Sequence, residues 1–227
     1  MKNIKWYLLI LIALLLGSLI GNNLNFKEEK EKELPKPELS EGMRGTFGID
    51  KNINEETIDN YLNRKDSVYR DVRMLVDEAD YEAIGGDSYL SGIIDGFEVT
   101  PLPKIVNVNN LPEEVGDTYQ GETLFTLLDD GKYNINYKES MDYLEYHFPK
   151  DKNIFLMCGG GGYAGMMKDL LISLGWDKDK IYNVGGHWFY EGNNNIQIKK
   201  TIDDKVTYDF YKLKIYDIDF EYLEKIK

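Results

Sequence analysis

Residues 155–175, FLMCGGGGYAGMMKDLLISLG, leave little freedom in how this chain folds around its one cysteine. Ile154 to Met157 is a short apolar run that reads as a buried strand. Behind it Ala164, Met167, Leu170, Leu171 and Leu174 recur at helical spacing, with Gly175 as the stop. Between strand and helix stand Gly159, Gly160, Gly161 and Gly162, which reach backbone angles that a β-carbon disfavours. Successive N–H groups of such a loop turn toward one point, and the first turn of the helix adds its own unpaired donors and partial positive charge. Cys158 ends the strand, so its sulfur is expected at that point, where an anion or a thiolate is stabilised.

The remaining segments extend this unit into an α/β domain. RGTFGID, after Met43, reads as a short strand, and Asn54 as the N-cap of a helix carrying Ile58, Tyr61 and Leu62. Residues 66–72 predict a strand and Ile105 to Val108 another, short and β-branched. Tyr137 to Phe148 predicts a helix with Met141, Leu144 and Phe148 on one side, ended by Pro149. A strand from Lys180 to Val184 closes on Gly185 and Gly186, and from Asn195 a β-rich tail turns at Asp203-Asp204-Lys205, predicting an appended hairpin and then a last short helical turn. Strands alternating with helices imply a mostly parallel sheet, in which sites form at the carboxyl ends of strands; Cys158 falls at such an end.

Composition bounds the setting. Lys2 and Lys5 precede an apolar run from Trp6 to Leu16 that continues to Ile20, so residues 1–21 read as a signal anchor or a signal peptide. The lysines favour a cytoplasmic N-terminus and a body outside the cell membrane, tethered as a single-pass protein or secreted if the segment is cleaved. No cysteine follows the run, which removes a lipoprotein anchor. Residues 22–42, rich in Lys, Glu, Asn and Pro, read as a polar tether to a body at 43–194, with 195–227 as the extension. A formal charge of −13 argues against a nucleic-acid partner, which would need a clustered basic surface. One Cys permits no internal disulfide, and one Cys with two distant His makes no metal site, so neither a metal nor a cofactor is expected.

Four stretches in order carry a family resemblance: YRDVRM (69–74), SGIIDGFEVTPLP (91–103), Cys158 with its glycine loop, and IYNVGGHWFYEG (181–192). Over about residues 66 to 192 this resembles the rhodanese family, the sulfurtransferase-type α/β domain, with its strand-ending Asp-x-Arg, its Gly-His-Ile-Pro-Gly-Ala segment, its active-site cysteine loop and its late Val-x-Gly-Gly-x-x-x-Trp region. Gly92, Ile93, Ile94, Asp95 and Gly96 stand at the Gly-His-Ile-Pro-Gly positions, and LVDEADYEAIGGDSY intervenes between Arg73 and that segment. The resemblance implies a three-layer fold around a mostly parallel sheet. It also implies covalent chemistry in which the Cys158 thiolate takes a sulfane sulfur from a small donor, thiosulfate or a persulfide. The resulting persulfide is held among the N–H groups of Gly159 to Gly162 and Tyr163, and its outer sulfur passes to a thiol or other nucleophilic acceptor. Loop and helix dipoles are expected to lower the thiol pKa. Asp71 and Arg73 are expected as an ion pair or loop brace, and His187 as a packing or catalytic residue near the site. The loop has no side-chain cation, so an anionic donor rests on backbone dipoles unless Arg70, Arg73 or Lys168 reaches over.

Other chemistries fit less well. A cysteine phosphatase needs an arginine where Ala164 or Gly165 stands, and a nucleotide loop needs the Lys-Ser/Thr that is missing after the glycines. The rival to sulfur transfer is a catalytically silent module of the same fold, whose insertion and C-terminal hairpin contact a partner protein.

Overall fold

A computed structural model describes residues 31–75, 91–107 and 119–226. The chain divides into Met1–Leu34 and Pro35–Lys227. Of the first unit, residues 31–34 are described and have no regular structure; the predicted membrane segment lies outside the described residues, as do Val108 and most of the insertion after Arg73. No helix among the described residues is long and apolar enough to cross a membrane.

The second unit is an α/β fold on a four-stranded parallel sheet. In chain order its elements are β1 (Ser67–Asp71), β2 (Gly92–Ile94), β3 (Glu98–Val99), α1 (Leu102–Ile105), β4 (Phe125–Leu127), β5 (Tyr133–Ile135), α2 (Ser140–His147), β6 (Asn153–Cys158), α3 (Gly162–Ser173), β7 (Ile181–Gly186), β8 (Asn195–Gln197), β9 (Lys199–Ile202) and β10 (Lys205–Tyr208). The central sheet runs β3-β1-β6-β7. In-register residues of parallel strands share a face, so Tyr69, Phe155 and Tyr182 form a row across β1, β6 and β7, their rings stacked 5.0 Å apart at both steps. Each such aromatic pair contributes about 0.5–1.5 kcal/mol beyond its buried area. On the other face Ile154, Leu156 and Ile181 pack in one core with Met167, Leu170 and Leu171 of α3 and with Leu144 and Phe148 of α2 and its end. Gly175, at φ 96°, follows α3 as its sequence predicts.

Several local expectations are corrected. Met43–Phe47 is a 3₁₀ turn rather than a strand, and Ile105 ends the helical turn α1 instead of opening a strand; Val106 alone bridges Phe125. The Pro at the second position of α1 explains the substitution, because its fixed φ suits a helix start. Asn54 accepts from Glu56 N within a turn, and the helix it was to cap is a 3₁₀ segment, Ile58–Tyr61, that begins after Thr57.

The segment read as tether is held to the body over its second half. Tyr182 Oη donates to Pro35 O at 2.8 Å, and Ser40 N to Ile49 O at 2.9 Å. The hairpin forms as β9 and β10 around Asp203 and Asp204, both at positive φ. β8 pairs antiparallel with β2, Val99 of β3 exchanges backbone bonds with Lys214 O and Tyr216 N, and Lys225 bridges Tyr137, so the C-terminal residues are stitched to the body in three places.

Candidate functional site

β6 and β7 are joined in register up to Cys158 and Gly186, with a bulge opposite Leu156 and Met157. Asn183, buried in the apolar run of β7, organises that bulge. Its Nδ2 donates to Gly161 O (2.9 Å) and to Phe47 O (2.8 Å), and its Oδ1 accepts from Gly185 N (3.0 Å). One side chain thereby ties the glycine loop, the 3₁₀ turn of residues 43–47 and the end of β7 together. Gly161 is the N-cap of α3 at φ 102°, a left-handed conformation that favours glycine. Two further glycines answer to close backbone approach: a Cβ on Gly186 would sit 2.1 Å from Gly159 O, and one on Gly165 2.3 Å from Phe47 O.

Inside this loop the sulfur of Cys158 accepts the N–H of Gly161 at 3.0 Å. The amides of Gly160 and Ala164 also act on it and stabilise a thiolate. Burial outweighs them. At 3% exposure the thiol is pushed up from its ordinary pKa, and the carboxylate of Asp71 adds to the rise. The expectation of a lowered thiol pKa is therefore reversed in direction, because removing a charge from water costs more here than the backbone dipoles return.

Asp71 and Arg73, at the carboxyl end of β1, form a fully buried pair. Arg73 Nε lies 3.0 Å from both carboxylate oxygens, Nη2 lies 2.5 Å from Oδ2, and the backbone N of Arg73 also donates to Oδ1. Nη2 further donates to Gly92 O at 2.7 Å, tying β1 to β2. His187 follows β7 and is buried; its Nε2 lies 2.7 Å from Asn195 Oδ1. Burial lowers its pKa and the charge of Arg73 lowers it further, with Asn195 and Asp71 opposing. Asp71 thus acts electrostatically on both Cys158 and His187, so residues from 71 to 187 in sequence gather at the carboxyl ends of three adjacent strands. Tyr163 lies half-buried in the first turn of α3.

No family model, curated protein or solved structure matches this chain. The site's chemistry therefore rests on its own geometry.

The three cations weighed from sequence are engaged elsewhere or opposed by acids. Arg70 donates to His147 O and Glu98, Arg73 serves Asp71, and Lys168 lies in α3 under the charges of Asp50 and Asp169. A further cation that sequence reasoning missed, Arg44, stands beside the loop. It pairs with Glu55, lies over the Phe189 ring at 4.0 Å, and stands with Glu55 against Gly185. Gly185 in turn packs on Gly161, whose Cβ would lie 3.4 Å from its Cα. Phe47 and Trp188, both half exposed, flank Gly162 and Gly160. For Asn183 the available signal was a lone amide inside an apolar strand. For Arg44 and Glu55 no sequence signal exists, since their meeting with residue 185 is purely tertiary.

Proposed function

We propose that this chain is a rhodanese-like sulfur carrier, exported and held at the membrane by its N-terminal segment, that takes and passes sulfane sulfur through a persulfide on Cys158. The observation that carries the reading is the cradle around Sγ: a cysteine at a parallel-strand terminus, accepting the Gly161 N–H at 3.0 Å, with the amides of Gly160 and Ala164 directed at the same atom. Such a ring of fixed donors stabilises charge that develops on sulfur without an adjacent side-chain base.

The raised thiol pKa shapes the chemistry. A protonated Cys158 needs to lose its proton to attack, and an ionised persulfide donor can accept it: the RSS⁻ anion becomes RSSH, and the new thiolate attacks its terminal sulfur. The Cys158–sulfur bond forms, the donor S–S bond breaks, and RS⁻ leaves with the electron pair. The sum is Cys158–SH + RSS⁻ giving Cys158–S–SH + RS⁻. An acceptor nucleophile then attacks the outer sulfur and returns the Cys158 thiolate. Asp71 and Arg73 brace the strand ends, and His187 is held as a neutral packing residue.

Intact-protein mass spectrometry on the full chain, after exposure to thiosulfate and separately to a low-molecular-weight persulfide, tests this. A one-sulfur gain that cyanide removes and that Cys158→Ser abolishes is the expected result. The second reading, a silent module of the same fold that binds a partner protein, is favoured by the deep burial and raised pKa of the thiol. No sulfur gain from either donor, with the thiol shown to be reduced, selects it.

A further inference from the structure

The chain has four arginines, and three of them commit their Nε atom in the same way, to an oxygen of the fold. Arg64 sets its Nε and Nη2 on the two carboxylate oxygens of Asp66 at 2.9 and 2.7 Å. Arg73 sets the same edge on Asp71, and Arg70 spends its Nε on His147 O. Arg44 differs. Its Nη1 pairs with Oε1 of Glu55, while Nε and Nη2, the edge that grips carboxylates elsewhere in this protein, are buried without a hydrogen-bond partner among the described residues. Oε2 of Glu55, a residue only 5% exposed, is equally without one. Buried polar groups left unpaired are unfavourable and rare, and each calls for a partner.

These orphan groups have a shape and a sign. An unpartnered guanidinium edge matches a carboxylate bidentately, and an unpartnered carboxylate oxygen beside it matches an ammonium. They lie against Gly185, which packs on Gly161, the residue whose N–H meets the Cys158 sulfur. The pair as a whole is neutral, so it does not favour a dianion. We propose that the sulfur donor is an α-amino-acid persulfide, cysteine persulfide, which leaves as cysteine, with the carboxylate on the Nε/Nη2 edge of Arg44 and the ammonium on Oε2 of Glu55. The side chain of Arg44 is 34% exposed, on the surface turn with Met43 and Phe47, and its guanidinium rests on the Phe189 ring, so the guanidinium must swing from that ring for its edge to meet the ligand. The transfer step rests on the persulfide reading of Cys158, with cysteine thiolate as the leaving group; the binding step does not.

The test uses the full chain with L-cysteine, its ethyl ester and N-acetylcysteine in titration calorimetry, and the persulfides of the same three compounds in mass spectrometry. Cysteine is expected to bind at least tenfold (~1.4 kcal/mol) more tightly than the ester, which lacks the carboxylate, or the N-acetyl form, which lacks the ammonium. Arg44→Gln removes the discrimination against the ester and Glu55→Gln that against N-acetylcysteine. Arg44→Lys, which keeps charge but not the fork, weakens cysteine binding with an unchanged thermal midpoint. Equal binding of all three compounds by the natural protein overturns the proposal. Discrimination in calorimetry without sulfur gain on Cys158 leaves the amino-acid site standing and refutes the persulfide reading instead.

Discussion

Replacing Asp71 by Ala strands a guanidinium in the interior. Arg73 is fully buried and directs Nε, Nη2 and its own backbone N–H at the Asp71 carboxylate, keeping besides it the 2.7 Å bond from Nη2 to Gly92 O. Removing one partner of a buried ion pair costs about 3–5 kcal/mol, because the remaining charge loses its neutraliser and cannot regain its water. With a urea slope of about 2 kcal/mol per molar, the unfolding midpoint of Asp71→Ala drops by about 2 M. The double variant Asp71→Leu/Arg73→Met removes both charges with similar volume and is expected to recover most of that loss. Urea titrations followed by tryptophan fluorescence and by circular dichroism measure all three proteins. A loss under about 1 kcal/mol for the single variant, or a double variant no better than it, refutes the brace assigned to this pair.

Three other outcomes follow from the geometry. Burial, with Arg70 adding to it, lowers the His147 pKa to about 4, so the unfolded chain binds the extra proton first; stability falls on the order of 3 kcal/mol as pH drops from about 6.5 to about 4, and His147→Phe flattens that slope in pH-dependent denaturation. Alkylation of Cys158 in the folded protein is slower than in the unfolded chain, with a rate that rises at a pH above the ordinary thiol value; a midpoint below that value contradicts the burial argument. Gly165→Ala pushes a methyl into the Phe47 carbonyl and is destabilising by about 1–3 kcal/mol, read as a lower thermal midpoint; a neutral change shows that the 43–47 turn does not hold the position described.

Much of the fold was legible because its central unit is local. The β6 strand, the loop and α3 follow from an apolar run, consecutive glycines and a helical period within about twenty residues, and the C-terminal hairpin from an Asp-Asp turn between β-rich stretches. Short elements were legible less well. Met43–Phe47 and Ile105–Val106 carry β-branched or aromatic residues in runs too short for periodicity to decide, and packing against α3 and β4 settled them.

The sequence by itself determined that a thiol stands at the end of a buried strand, before a loop whose glycines turn N–H groups toward it; neighbouring residues and backbone sterics suffice for that. Only the tertiary structure decided how that thiol titrates, since its pKa is a balance between burial by distant segments and nearby amides. The same holds for the company it keeps. Asn183 bracing the loop, Asp71 acting on both Cys158 and His187, and the unpartnered edge of Arg44 beside Glu55 are contacts across up to 136 positions of chain, and electrostatics acts through space rather than along sequence.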